Sequence, residues 1–233
     1  MPEIQLNDFF KYYENTVEQK EATQLLQSAM PDSLLKNSSL WVTKFREKPE
    51  APEVENPLDV KYFWQQDNGP DGWRQCQTSS IAMCLNYLKV PGINDDVDYL
   101  KIVQKYGDTT LQSSHAQAMN SLGVKNRFRT DGSKDSLIAR IRAGFPVPIG
   151  ILHHGPVNTP PGPSGGGHYI VAHGVFDDYC LCSDPYGELN LITGQWAATG
   201  QQDGNRVHYS WQNLMPRWDL NNGTKDGWYW EIG

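Results

Sequence analysis

Trp73-Arg74-Gln75-Cys76-Gln77-Thr78-Ser79-Ser80-Ile81-Ala82-Met83-Cys84-Leu85 runs from a short polar stretch straight into an apolar, helix-forming pattern. The change of character predicts a helix over 78–88 and places Cys76 at its first turn. There, unpaired backbone N–H groups and the positive end of the helix dipole stabilise a thiolate. The thiolate is the nucleophilic form of cysteine, so one stretch predicts both a helix and a site of thiol chemistry. Cys84, eight residues further along the same pattern, reads as core.

Working outward, Val60-Lys61-Tyr62-Phe63-Trp64-Gln65 is rich in strand formers, and Asp67-Asn68-Gly69-Pro70-Asp71-Gly72 is dense turn chemistry. Downstream, three more helices are expected over 94–106, 113–122 and 134–143. The period then changes, and 147–152, 168–175 and 179–183 read as successive strands. Phe176-Asp177-Asp178 turns the last two into a hairpin. Helices first and antiparallel strands afterwards predict an α+β domain, its N-terminal helices packed on an antiparallel sheet.

Upstream, Phe9, Phe10, Tyr13, Val17, Leu25, Leu26 and Met30 recur among Glu, Gln and Lys at amphipathic spacing. Residues 1–47 are therefore expected to be a helical arm. The Pro- and Glu-rich run 48–57 has too little apolar content to pack and reads as a linker, which leaves 58–233 as the main domain.

The chain has 233 residues, enough for a sizeable core without disulfide or metal staples. A net charge of −7 argues against a nucleic-acid or anionic-membrane partner, since either needs a basic face. No apolar run is long enough to span a bilayer, and the start lacks the basic and apolar regions of a signal peptide. The expectation is synthesis in a cytoplasm and free thiols at Cys76, Cys84, Cys180 and Cys182.

A thiol hydrolase needs a base, a group that orients the base, and donors for the oxyanion. His168 opens a strand directly after Gly165-Gly166-Gly167, and Asp184 heads Asp184-Pro185-Tyr186-Gly187 after the next strand. Two short strands and a tight turn fit between them, so both fall near the open end of one hairpin. Asp184 would then hold one imidazole nitrogen and leave the other for Cys76.

These residues resemble the papain-like cysteine peptidases related to the bacteriocin-processing, double-glycine leader peptidases. The resemblance covers roughly 60–187 and rests on four motifs in order: 62–68 ending in Gln65-Gln66-Asp67-Asn68, the Cys76 helix start, Gly167-His168-Tyr169-Ile170-Val171, and Asp184-Pro185-Tyr186-Gly187. It implies a papain-like fold with Cys76 as nucleophile, His168 as base, Asp184 as orienting group and Gln65 as oxyanion donor beside the Cys76 backbone N–H. Gln66 and Gln75 are rival side-chain donors. The family's Cys-Gly-Pro-Thr-Ser is here Cys76-Gln77-Thr78-Ser79-Ser80.

The chain further resembles phage-encoded tail-associated or lysis proteins, most clearly through 146–150, 164–168 and 213–218. This implies an endopeptidase or amidase acting on bacterial peptidoglycan peptides, made in the host cytoplasm and acting at the cell wall, free or carried in the virion. The alternative is a non-catalytic phage structural or wall-binding protein on the same fold. No cofactor is expected. A zinc site among His153, His154, His168, His173, Cys180 and Cys182 is the lesser reading, because Cys180-x-Cys182 on a strand fits apolar packing better. Calcium at 67–72 or 94–98 lacks the EF-hand's terminal Glu. Trp228 and Trp230 read as sheet cover in preference to a sugar platform.

Overall fold

The structure is a computed structural model that describes residues 56–165, 167–218 and 226–233. The arm over 1–47 and most of the linker over 48–57 lie outside the described residues.

Helix α1 is Cys76–Tyr87. It begins two residues earlier than its periodicity indicates, because its first turn is polar yet buried: Gln77, Thr78, Ser79 and Ser80 are all covered. Helices α2 (Asp96–Val103), α3 (Gln112–Ser121) and α4 (Lys134–Arg142) follow. Local capping explains two of the starts. Asp95 accepts the Asp98 N–H at α2, which accounts for the acidic run at 94–98, and Ser133 and Ser136 form a reciprocal capping box at α4.

Strand β1 is Asn126–Gly132, β2 Val147–Ile151, β3 His168–Val175 and β4 Tyr179–Ser183. Then come β5 (Glu188–Asn190), β6 (Gln195–Ala198), β7 (Val207–Ser210), helix α5 (Trp211–Trp218) and β8 (Gly227–Ile232). Six strands form one antiparallel sheet in the order β1-β8-β2-β3-β4-β7, with β5 and β6 as a separate hairpin. The α+β expectation therefore holds.

Strands β2 and β3 are central and buried nearly throughout, as their continuous apolar runs require. Helix α1 packs against both, and Ile81, Ala82, Met83, Cys84 and Leu85 are fully buried, so it has no solvent face. Truncating one of these large side chains to Ala removes about 2–5 kcal/mol of stability. Cys180 and Cys182 are buried in the same core, and all four cysteines are free thiols. Tyr229 and Trp230 are buried on β8 and cover the sheet, while Trp228 is partly exposed.

One sequence expectation needs correction, and one strand was not foreseen. The run 60–65 makes no ladder: Val60 and Phe63 are buried without strand pairing, as is Leu58 just before them, and Gln65–Asp67 closes a 3-10 turn. Strand β1 was not anticipated because Asn126-Arg127-Phe128-Arg129-Thr130-Asp131-Gly132 is strongly polar, as suits the sheet edge it occupies.

Candidate active site

Cys76 is the first residue of α1 and is partly exposed. The helix starts there without the Gly-Pro of the resembling pattern. Gln75 takes the N-cap place and its side-chain oxygen accepts the Thr78 hydroxyl at 3.0 Å, which fixes the entry turn. Gln77 turns inward and is buried.

His168 and Asp184 are brought together by an irregularity in the β3–β4 hairpin. Near the turn, Gly174 pairs with Leu181 and Val175 with Cys180, but further along Ala172 pairs with Cys182 and Val171 with Ser183. His173 is the extra residue, a β-bulge. Carrying the first register onward without the bulge would set Asp184 opposite Val171, on the sheet face away from His168. The bulge shifts the pairing by one, so Asp184 comes opposite Ile170 and shares the face of His168. The bulged ring is itself held, Nδ1 to the Leu58 carbonyl at 3.0 Å and Nε2 to Ser183 Oγ at 3.1 Å.

The result is a 2.7 Å contact between His168 Nε2 and Asp184 Oδ1, with both side chains almost wholly buried. Nε2 is thereby committed, leaving Nδ1 as the nitrogen that hydrogen-bonds the Cys76 thiol. Burial alone pushes the Cys76 pKa up. The hydrogen bond and charge of His168, joined by a hydrogen bond from the Tyr169 backbone, outweigh it and hold the thiol below its ordinary value of 9.0. For His168, burial pulls the pKa down, but the charge and hydrogen bond of Asp184, with the Cys76 contact, raise it to about 10. Both directions favour a thiolate–imidazolium pair at neutral pH.

Asp184 is fully enclosed and its acceptors are used: Oδ1 also takes the Tyr186 N–H at 3.0 Å, and Oδ2 takes the Tyr209 hydroxyl at 3.0 Å. Tyr62 donates to its backbone carbonyl at 2.9 Å. Gly204 passes so close that an added Cβ would lie 1.8 Å from that same carbonyl oxygen, so only glycine fits there. The ring of Trp196 stands edge-on to His168 at 5.1 Å and shields the imidazole from water.

Gln65 is buried, its backbone N–H on the Pro185 carbonyl at 2.9 Å and its side-chain Nε2 on the Gly72 carbonyl at 2.8 Å. It thus lies against the turn that leads into Cys76. Of its rivals, Gln75 is committed to Thr78, and Gln66 is only partly buried beside the turn. Tyr209 and Trp196 lie outside the motifs read from sequence. No spacing marks them, because they reach the site from β7 and β6 through tertiary packing.

Arg217, within one of the motifs, is fully buried and binds only carbonyls: Leu191, Leu152, His154 and Gly155, at 2.8, 2.8, 3.3 and 2.7 Å. It ties the loop after β2, which carries His153 and His154, to the β5–β6 turn. The His153 ring lies tilted against that of His154, centroids 3.9 Å apart, and 5.9 Å from that of His168. Burial first, then the nearby charge of His168, lowers its pKa to about 4. Among the described residues, no cluster of His, Cys, Asp and Glu has the geometry to hold a metal ion.

Residues 57–213 match the family described as Peptidase_C39 like. No curated protein matches the chain. Among solved structures, similarity extends to a putative C39-like peptidase from Bacillus anthracis, at 16% identity and TM-score 0.49, over 76% of this chain and 96% of that one. It extends also to a double glycine motif protease from an AMS/PCAT transporter in complex with its leader peptide, at 13% identity and TM-score 0.44, over 76% and 94%. A third is the peptidase domain of Streptococcus ComA, a bifunctional ABC transporter, at 13% and 0.45, over 69% and 92%.

Proposed function

The chain belongs to the Peptidase_C39 like family, and from that premise we propose that it is a cysteine peptidase, an endopeptidase or amidase, that cleaves peptides of bacterial peptidoglycan as a phage endolysin or virion-associated lysin. The observation that carries the thiol chemistry is the buried His168 Nε2–Asp184 Oδ1 contact at 2.7 Å, with the Cys76 thiol against the same imidazole. The peptidoglycan assignment is supported by the likeness of 146–150, 164–168 and 213–218 to phage tail and lysis proteins.

In the proposed reaction the Cys76 thiolate attacks the scissile carbonyl, and the carbonyl's π electrons move to oxygen. The Cys76 backbone N–H and the Gln65 amide receive that oxyanion, which contributes about 10²–10³ in rate for each donor. The His168 imidazolium gives its proton to the departing amine and leaves a thioester on Cys76. Neutral His168 then takes a proton from water, which attacks the thioester and releases the acid. Asp184 keeps the imidazole in the tautomer and orientation that serve both steps.

The test is release of free amino groups from purified peptidoglycan sacculi by the intact chain and by Cys76→Ala. Release by the first and none by the second supports thiol-dependent wall hydrolysis. No release from sacculi of several wall types, with protein folded and thiols reduced, rejects the lysin reading.

A further inference from the structure

Beneath the turn that carries Gln65, three side chains with no part in the acyl transfer are joined. Asn68 closes the turn, its backbone N–H on the Gln65 carbonyl at 3.2 Å. Its side-chain Nδ2 donates to Asp96 Oδ2 at 2.7 Å and to Ser79 Oγ at 3.2 Å. The Ser79 hydroxyl donates to the same Asp96 oxygen. Ser79 lies on α1 and Asp96 opens α2; both are buried. A buried carboxylate held by neutral donors costs free energy to desolvate, so the network is not cheap packing.

Its placement gives it a use. Asn68 stands three residues after Gln65, and Ser79 three residues after Cys76. The bracket therefore joins the oxyanion donor's turn to the nucleophile's helix at matched positions, about one helical turn beyond each group. Gln65 needs such support. One N–H of its amide is taken by Gly72, and its Oε1 is buried without a hydrogen-bond partner, so the side chain is not fixed from that end.

We propose that Asn68, Ser79 and Asp96 are positioning residues that hold the Gln65 amide at a set distance from the Cys76 sulfur, ready for the oxyanion before substrate arrives. The inference rests on the proposed thiol-peptidase reading. It predicts a separation of two properties: thiolate formation, which depends on His168 and Asp184, and oxyanion binding, which depends on the bracket.

Two probes separate them on the full chain. Iodoacetamide alkylation of Cys76 reads the thiolate and develops no charge on a carbonyl oxygen held by Gln65. Reversible binding of N-acetyl-glycinal reads the hole, because the thiolate adds to the aldehyde carbon and the carbonyl π pair becomes an oxyanion. Gln65→Ala should weaken aldehyde binding about 100-fold, and Asn68→Ala and Asp96→Asn about 10-fold, with alkylation rates within about twofold of the parent. Ser79→Ala, which removes one arm without touching the carboxylate, should weaken it about threefold and serves if Asp96→Asn does not fold. Unchanged aldehyde binding in the bracket variants, with Gln65→Ala impaired, overturns the proposal, as does alkylation falling in step with aldehyde binding. Slow alkylation of the parent, or no effect of Gln65→Ala, overturns the reading beneath it.

Discussion

The two halves of the site are built on different terms. Cys76 and Gln65 are placed mainly by short-range structure, a helix start and two 3-10 turns, with longer ties from the Gln65 N–H to the Pro185 carbonyl and from Asn68 to Asp96. His168 and Asp184 are placed by a hairpin whose parity depends on the single bulged residue His173. The first half tolerates small shifts, because each contact adjusts a distance. The second is discrete, because a one-residue change of register sends a side chain to the other face of the sheet.

The sharpest way to break this contrast is to insert one alanine between Tyr169 and Ile170. The pairing beyond the bulge would keep Asp184 opposite Ile170, while His168, now three positions away, would move to the other face of the sheet. Turnover is expected to fall about 10³-fold or more, with Cys76 alkylation slowed to that of an ordinary thiol, while circular dichroism still reports a folded sheet. Retained fast alkylation in the folded variant would show that cross-strand register does not set the contact between His168 and Asp184.

The helix half should respond in degree. An added Cβ at Gly72 would lie 2.6 Å from the Gln65 carbonyl oxygen, so Gly72→Ala must displace the Gln65 turn. Turnover is expected to drop about 10- to 100-fold while alkylation stays fast. A joint loss of both would mean that the two halves are not separable.

A smaller effect is expected from Tyr209→Phe, which removes the donor to Asp184 Oδ2 and leaves the Leu189 N–H without its acceptor. Stability should fall by about 1–3 kcal/mol in urea unfolding, with only a few-fold loss of turnover, since His168 keeps its 2.7 Å contact. A loss of turnover as large as that of Cys76→Ala would give Tyr209 a share in the chemistry itself.

Two neutral histidines are also buried, one on α3 and one at the bulge, and these two should behave alike. Burial first lowers the pKa of His115 on α3 and of His173 from 6.5 to about 4, although each ring also hydrogen-bonds a carbonyl that favours the charged form. The unfolded chain takes up protons as pH falls below 6.5 and the folded one does not. Their contribution to stability is therefore complete above pH 6.5 and lost progressively as pH falls toward 4. Urea midpoints across that window should decline, and the decline should be shallower in His173→Gln. An equal slope in the variant would remove His173 from the account.

The same contrast explains what the sequence disclosed. The apolar run after Cys76, the three later helices and the strands beginning at Val147, His168 and Tyr179 were legible because each carries its own period or capping signal. The polar edge strand β1 was not, since its pattern reflects exposure more than pairing. The joint placement of Cys76, His168 and Asp184 could be anticipated from order and spacing. The bulge that makes the spacing work could not, because parity depends on cross-strand pairing. Tyr209, Trp196 and the Asn68–Ser79–Asp96 bracket were likewise illegible: each residue type is common, and only the fold assembles them.

The central claim is that Cys76 and His168 form a thiolate–imidazolium pair, and the most direct measurement is the rate of Cys76 alkylation by iodoacetamide against pH. An ordinary thiol with a pKa of about 8.5 is under about 1% ionised at pH 6. The account expects fast alkylation already at neutral pH, on a plateau that extends toward the His168 value of about 10. A single rise centred at or above 9.0, with slow reaction at neutral pH, would contradict it.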